Sequence, residues 1–213
     1  MKIAIFDLDG TIADTIADLG DAVNYGLRNL NHKEHTYEQY KKMVGNGAQV
    51  LCQRALPVDF KHEADMLLTL FSEYYANHYL DKTKLYDGIK HTIQVLSENK
   101  VKLAIATNKP QSFARPIIQF LLPDIHFESV LGGCSERPKK PDRAIIDEIL
   151  SSFHGKNDIY MIGDSNVDIQ TAKNANLHSI GCEWGFRDKE ELISEGAEFI
   201  AKCPEDIIHI ILG

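Results

Sequence analysis

The stretch that most limits what this chain can become is its start, KIAIFDLDGT over residues 2 to 11. Ile3 to Phe6 is an unbroken apolar run bounded by Gly10, the pattern of a strand buried on both faces in a parallel sheet. Asp7 and Asp9 follow it directly. Residues two apart in extended chain project to the same side, so both carboxylates face one site beyond the strand end. Two carboxylates that close repel each other unless a cation or a proton lies between them. Asp-Gly alone would signal only an acidic turn. Placed at the carboxyl end of a buried strand, where open α/β sheets hold their chemistry, the pair marks a candidate active site.

Beyond Thr11 the periodicity becomes helical. Ile16, Leu19, Val23, Leu27 and Leu30 form one apolar stripe, with Asp14 or Thr15 available as N-cap. Thr36 and Gln39 have capping-box spacing for a second helix reaching about Val44. Gly45-Asn46-Gly47 breaks it, a third helix runs from Ala48 to Leu56, and a fourth starts at Phe60 and carries Leu67, Phe71 and Tyr75. Four helices and no strand are thus expected between residues 15 and 83. From Leu85 onward, strands at 101–106, 127–131, 159–162 and 178–181 alternate with helices, and 199–200 adds an edge strand before a closing helix at 204–212. One helix per strand implies a parallel sheet covered on both faces. The expected fold is therefore α/β, a doubly wound, mostly parallel sheet with an α-helical insert.

A net charge of −8 argues against nucleic acid or an anionic membrane as partner, because both require clustered positive charge. No segment approaches the ~18 apolar residues of a membrane span, and Asp7 interrupts an N-terminal run too short for a signal peptide. Cys52, Cys134, Cys182 and Cys203 are scattered without metal-ligand spacing. They read as free, mostly buried thiols of a reduced cytoplasm.

Polar clusters fall at the ends of separate predicted strands or in their loops: Asp7/Asp9, Thr107/Asn108, Lys140 and Asp164/Asp168. The string Asp-Leu-Asp-Gly-Thr, a Thr ending the second strand, Lys140 before Pro141, and Gly163-Asp164-Ser165 with Asp168 follow in one order. Together they resemble the haloacid dehalogenase-like hydrolases across essentially the whole chain. Lys139 competes with Lys140 for the lysine role, and Pro141 decides for Lys140. The resemblance implies a Rossmann-like core from residues 1–14 and 85–213, with a helical cap at 15–84 closing over the site.

The resemblance also assigns roles. Asp7 is the expected nucleophile, Asp9 the general acid and base, and Mg²⁺ the cofactor, held by Asp7, the Asp9 backbone carbonyl and Asp164. Thr107, Asn108 and Lys140 would neutralise the phosphoryl oxygens, and Asp168 would orient Lys140 or metal-bound water. The runs Val44-Gly45-Asn46-Gly47-Ala48, Thr107-Asn108-Lys109-Pro110 and Trp184-Gly185-Phe186-Arg187 are most similar to phosphoglycolate phosphatases and related pyrophosphatases. The implied activity is hydrolysis of a small phosphorylated metabolite by a cytoplasmic monomer or homodimer. Asn46, between two glycines, and Arg54, two helical turns on, are the expected substrate contacts from the cap. A phosphomutase similar to β-phosphoglucomutase is the alternative on the same core, although no histidine precedes His32. A dehalogenase would lack Asp9, and a non-catalytic binding protein would be expected to have lost Asp7, Asp9 or Lys140.

Overall fold

A computed structural model describes residues 1–155 and 158–213. Its sheet has six parallel strands: β1 (Lys2–Phe6), β4 (Lys102–Pro110), β5 (Ser129–Gly133), β6 (Asp158–Gly163), β7 (His178–Cys182) and β8 (Phe199–Ala201). They run in the order β5-β4-β1-β6-β7-β8. β1 is central, paired in register Ile5↔Ala104 with β4 and Ile5↔Met161 with β6. The doubly wound parallel sheet expected from the alternation is the one observed.

Alternation within each strand builds two apolar layers. Ala4, Phe6, Leu103, Ile105 and Ile162 face α5 (Ile89–Glu98), α6 (Gln111–Leu121) and α10 (Pro204–Leu212). Ile3, Ile5, Ala104, Ala106 and Met161 face α7 (Ala144–Leu150) and α8 (Asn166–Ala175). Because β1 is covered on both sides, its whole run is apolar.

The insert has its own apolar core. Leu19, Val23 and Leu27 of α1 (Ile16–Asn29) pack on Leu67, Phe71 and Tyr75 of α4 (Ala64–His78). Between them come α2 (Tyr37–Lys41) and α3 (Ala48–Ala55). The Thr36/Gln39 capping box forms as expected.

Three local expectations are corrected. The fourth helix starts at Ala64, because Val58–Glu63 is a 3₁₀ turn in which Phe60 leaves helical geometry and stacks edge-on against His32. The second helix stops at Lys41 rather than Val44, and β5 starts at Ser129 rather than Phe127. An unpredicted ribbon joins the two ends of the insert: β2 (Ala13–Asp14) pairs antiparallel with β3 (Lys84–Leu85). Beside it, buried Asp18 accepts hydrogen bonds from the Lys82 and Thr83 amides and the Thr83 hydroxyl at 2.7–3.1 Å, tying α1 to the returning chain.

All four cysteines are free, but only Cys52 and Cys182 are buried; Cys134 and Cys203 are exposed. Among the described residues no helix is long and apolar enough to cross a membrane.

Candidate active site

The parallel sheet collects the loops after β1, β4, β5 and β6 at one edge, and there the scattered polar clusters meet. Asp7, Asp9, Thr107, Asn108, Lys140, Asp164 and Asp168 all line one cavity of ≈ 50 Å³ between the sheet and the insert. Lys140, 3% exposed, donates to Asp7 Oδ1 at 2.9 Å and to Asp168 Oδ1 at 2.6 Å. Lys139 is exposed, whereas Lys140, which precedes Pro141, is the lysine buried among the carboxylates. The Lys140–Pro141 peptide is cis.

Asp7, Asp164 and Asp168 bring carboxylate oxygens within 4.8 Å of one another. Burial pushes Asp7 up to about 6, with Lys140 pulling it down and Asp168 and Asp9 adding to the rise. Burial, then the charges of Asp168 and Asp7, hold Asp164 well above the ordinary carboxylate range. Burial alone would lower Lys140, but Asp168 and Asp7 raise it above a free lysine. Three buried carboxylates thus face one ammonium, an excess of negative charge that a hard divalent cation would relieve.

Asp168 is the carboxylate least available to such an ion. Its Oδ1 faces Lys140, while Oδ2 accepts from the Ser165 amide at 3.1 Å and hydroxyl at 2.7 Å. Asp164 is held by the Phe186 amide at 2.7 Å and the Thr11 hydroxyl at 3.2 Å. The fit is tight enough to require glycine around it. A Cβ on Gly10, at φ +86, would collide with the Asp164 carboxylate, and one on Gly163 would collide with Asp168.

Asp9 is gripped from two directions. Thr15 Oγ1 donates to its Oδ1 at 2.7 Å, so the hydroxyl expected to cap α1 serves the acid instead. Lys109 Nζ approaches Oδ1 and Oδ2 at 2.9 and 3.3 Å. Burial opposes the charge of Lys109, but Asp9 and Tyr75 hold its pKa above the ordinary lysine value. Lys109 has no role predicted from the sequence motifs. The available signal is a lysine closing a buried strand, because a cation there requires an anion nearby.

Asn108 acts through its side chain. Its Oδ1 accepts from the Lys140 amide at 2.8 Å, and its Nδ2 donates to the carbonyls of Lys140 at 3.0 Å and Gly45 at 3.1 Å. Thr107 Oγ1 accepts from the Lys109 amide at 3.2 Å. Arg187, also without a predicted role, donates to the carbonyls of Lys41 and, at 2.8 Å, Val44. Core donors therefore hold the insert's loop at Lys41, Val44 and Gly45. Gly45 and Gly47 line the cavity, whereas Asn46 and Arg54 do not. Arg54 lies exposed and donates to the Met43 carbonyl at 2.8 Å, bracing the loop from outside. Apart from Tyr75, the rest of the insert's wall is apolar, with Leu19, Val44, Leu51 and Phe71.

A family model described as haloacid dehalogenase-like hydrolase matches residues 4–182. A phosphoglycolate phosphatase of Vibrio parahaemolyticus is 30% identical over 99% of this chain and 96% of its own length. One from Colwellia psychrerythraea is 34% identical over 93% and 91%. A crystal structure from Lactobacillus delbrueckii subsp. bulgaricus superposes with a TM-score of 0.93 at 32% identity, covering 99% of this chain and 98% of that one.

Proposed function

The chain belongs to the haloacid dehalogenase-like hydrolases, and we propose that it is a Mg²⁺-dependent phosphatase whose best substrate is phosphoglycolate or a phosphate monoester of similar size. The observation that carries this reading is the cavity in which Asp7, Asp9, Lys140 and Asp164 converge from separate loops. The names of the relatives support the substrate, and so does the insert's wall. An apolar wall would leave the hydroxyls of a sugar without partners, which disfavours a β-phosphoglucomutase-like reaction.

In this mechanism Asp7 attacks phosphorus and becomes an aspartyl phosphate as the ester bond breaks. Lys140, fixed by Asp168, places one positive charge against the phosphoryl oxygens, and the Thr107 hydroxyl and the Asn108 backbone amide donate to them. Asp9, steadied by Thr15 and Lys109, delivers a proton to the leaving oxygen. It then takes one from the water that cleaves the acyl phosphate, so phosphate leaves and Asp7 is restored. Asp7, the Asp9 carbonyl and Asp164 would hold Mg²⁺, whose bound charge offsets the repulsion between carboxylate and phosphoryl group. The Asn108 and Arg187 bonds hold the cap loop over the site and keep bulk water out.

The test is phosphate release from phosphoglycolate by purified protein with Mg²⁺, and its loss in EDTA and in Asp7→Asn. Turnover that persists in Asp7→Asn would remove the proposed nucleophile.

A further inference from the structure

The cap wall of the cavity carries one polar atom that its surroundings leave unused. The Tyr75 hydroxyl is buried and makes no hydrogen bond among the described residues. Its ring is fixed on both sides, stacked on Phe71 at 5.2 Å and edge-on to Phe113 at 5.0 Å. The Lys109 ammonium lies 5.0 Å from the ring centroid and close enough to the phenol oxygen to interact with it, but the two do not meet the geometry of a hydrogen bond. A buried hydroxyl without a partner is costly, and such a group in a cavity wall points to a ligand.

The cavity holds two further cations, and neither is available to this side of a substrate. Lys140 sits between Asp7 and Asp168, and Arg187 is engaged with the cap-loop carbonyls and Glu191. Lys109 alone joins the catalytic side, at Asp9, to the cap wall, at Tyr75.

We propose that Lys109 and Tyr75 form the specificity site for a carboxylate on the substrate's leaving group. The proposal rests on the phosphatase reading and deepens it. If Asp9 serves the bridging oxygen, a group meeting Lys109 must lie within a bond or two of that oxygen, as the carboxylate of a phosphorylated 2-hydroxy acid does. Lys109 supplies the ion pair and Tyr75 Oη donates one hydrogen bond, matching the two oxygens of one carboxylate. Asp9 keeps its bond from Thr15 when Lys109 turns to the substrate. A second phosphate would bring more charge and a third oxygen against a wall otherwise formed by Leu19, Leu51, Phe71 and Phe113. The site therefore favours a carboxylate over pyrophosphate.

The test uses phosphonates, which cannot be turned over. With Mg²⁺ present, calorimetry measures binding of 3-phosphonopropionate, propylphosphonate and methylenediphosphonate. The wild type should bind 3-phosphonopropionate at least about tenfold tighter than propylphosphonate, the scale of one charge-assisted hydrogen bond. Tyr75→Phe should cut that preference severalfold, and Lys109→Met should abolish it. Tyr75→Phe removes a hydroxyl that makes no geometric hydrogen bond and leaves the ring packing in place, so it reads the site even if Lys109→Met folds poorly. Equal wild-type affinities, or a preference untouched by Tyr75→Phe, would overturn the proposal. So would a tighter grip on methylenediphosphonate that both substitutions weaken. Turnover is read separately: wild type that cleaves neither phosphoglycolate nor ethyl phosphate refutes the phosphatase reading, while the phosphonate preference still decides the carboxylate site.

Discussion

Lys140→Met should destabilise the metal-free protein far more than an ordinary lysine substitution. Lys140 is buried and bonded to Asp7 at 2.9 Å and Asp168 at 2.6 Å, with Asp164 in the same carboxylate cluster. Methionine keeps the length and apolar stem but removes the ammonium that, among the described residues, bonds both Asp7 and Asp168. Breaking a buried ion pair by deleting one partner costs about 3–5 kcal/mol. For a chain of 213 residues, each kcal/mol moves Tm by roughly 2–4 °C, so the expected loss is about 6–20 °C. The assay is thermal unfolding by circular dichroism in EDTA near pH 7.5, with Lys139→Met as control. Lys139 is exposed, and its substitution should stay within about 0.5 kcal/mol of wild type. Added Mg²⁺ should return part of the loss by supplying positive charge to the same carboxylates. A Lys140→Met variant melting within 2 °C of wild type in EDTA (roughly 1 kcal/mol or less) would refute the reasoning, because the cluster would then not depend on its cation.

Further outcomes are expected from the same geometry. Asp9→Asn should slow kcat by ~10²–10⁴-fold, the usual worth of positioned proton transfer, and a pH–rate profile identical to wild type would argue against its role. Asp7 is raised from 3.8 to about 6 in the folded protein, so the native state holds a proton that the unfolded chain has released. That contribution reduces stability as pH rises between about 4 and 6. In EDTA, Asp7→Asn should therefore gain on wild type by up to about 3 kcal/mol between pH 4 and 7, read by urea unfolding; a constant difference would contradict the buried titration. Arg187→Met should free the cap loop, seen as faster proteolytic cleavage within residues 41–47 and a lower kcat/KM. Unchanged cleavage would place the loop's anchor elsewhere.

Much of the architecture was legible from consecutive residues. Short apolar runs mark β1, β4 and β6, 3.6-residue stripes mark α1 and α4, and Thr36 with Gln39 announces the start of α2. Such signals survive without knowledge of the fold because neighbours in sequence are neighbours in space. The weaker signals failed in physical ways. The β2–β3 ribbon is two residues wide on each side, too short for any periodicity. Asn176 adopts φ +55 at the end of α8, where asparagine is tolerated.

Consecutive residues were enough to read the buried strand that ends in Asp7 and Asp9, the second acidic pair, Lys140 beside its proline, and a helical insert within the α/β alternation. Only the tertiary structure decided which groups these residues meet. Lys109 reaches Asp9 across 100 positions, and Arg187 reaches the Lys41 carbonyl across 146. Thr15 turns from capping its helix to holding Asp9, while Arg54 faces solvent rather than the cavity. Each of these outcomes depends on the strand order around β1 and on how the cap docks against the sheet. A side chain's partner in a buried site is set by that long-range placement, because no local pattern records which distant loop will arrive beside it.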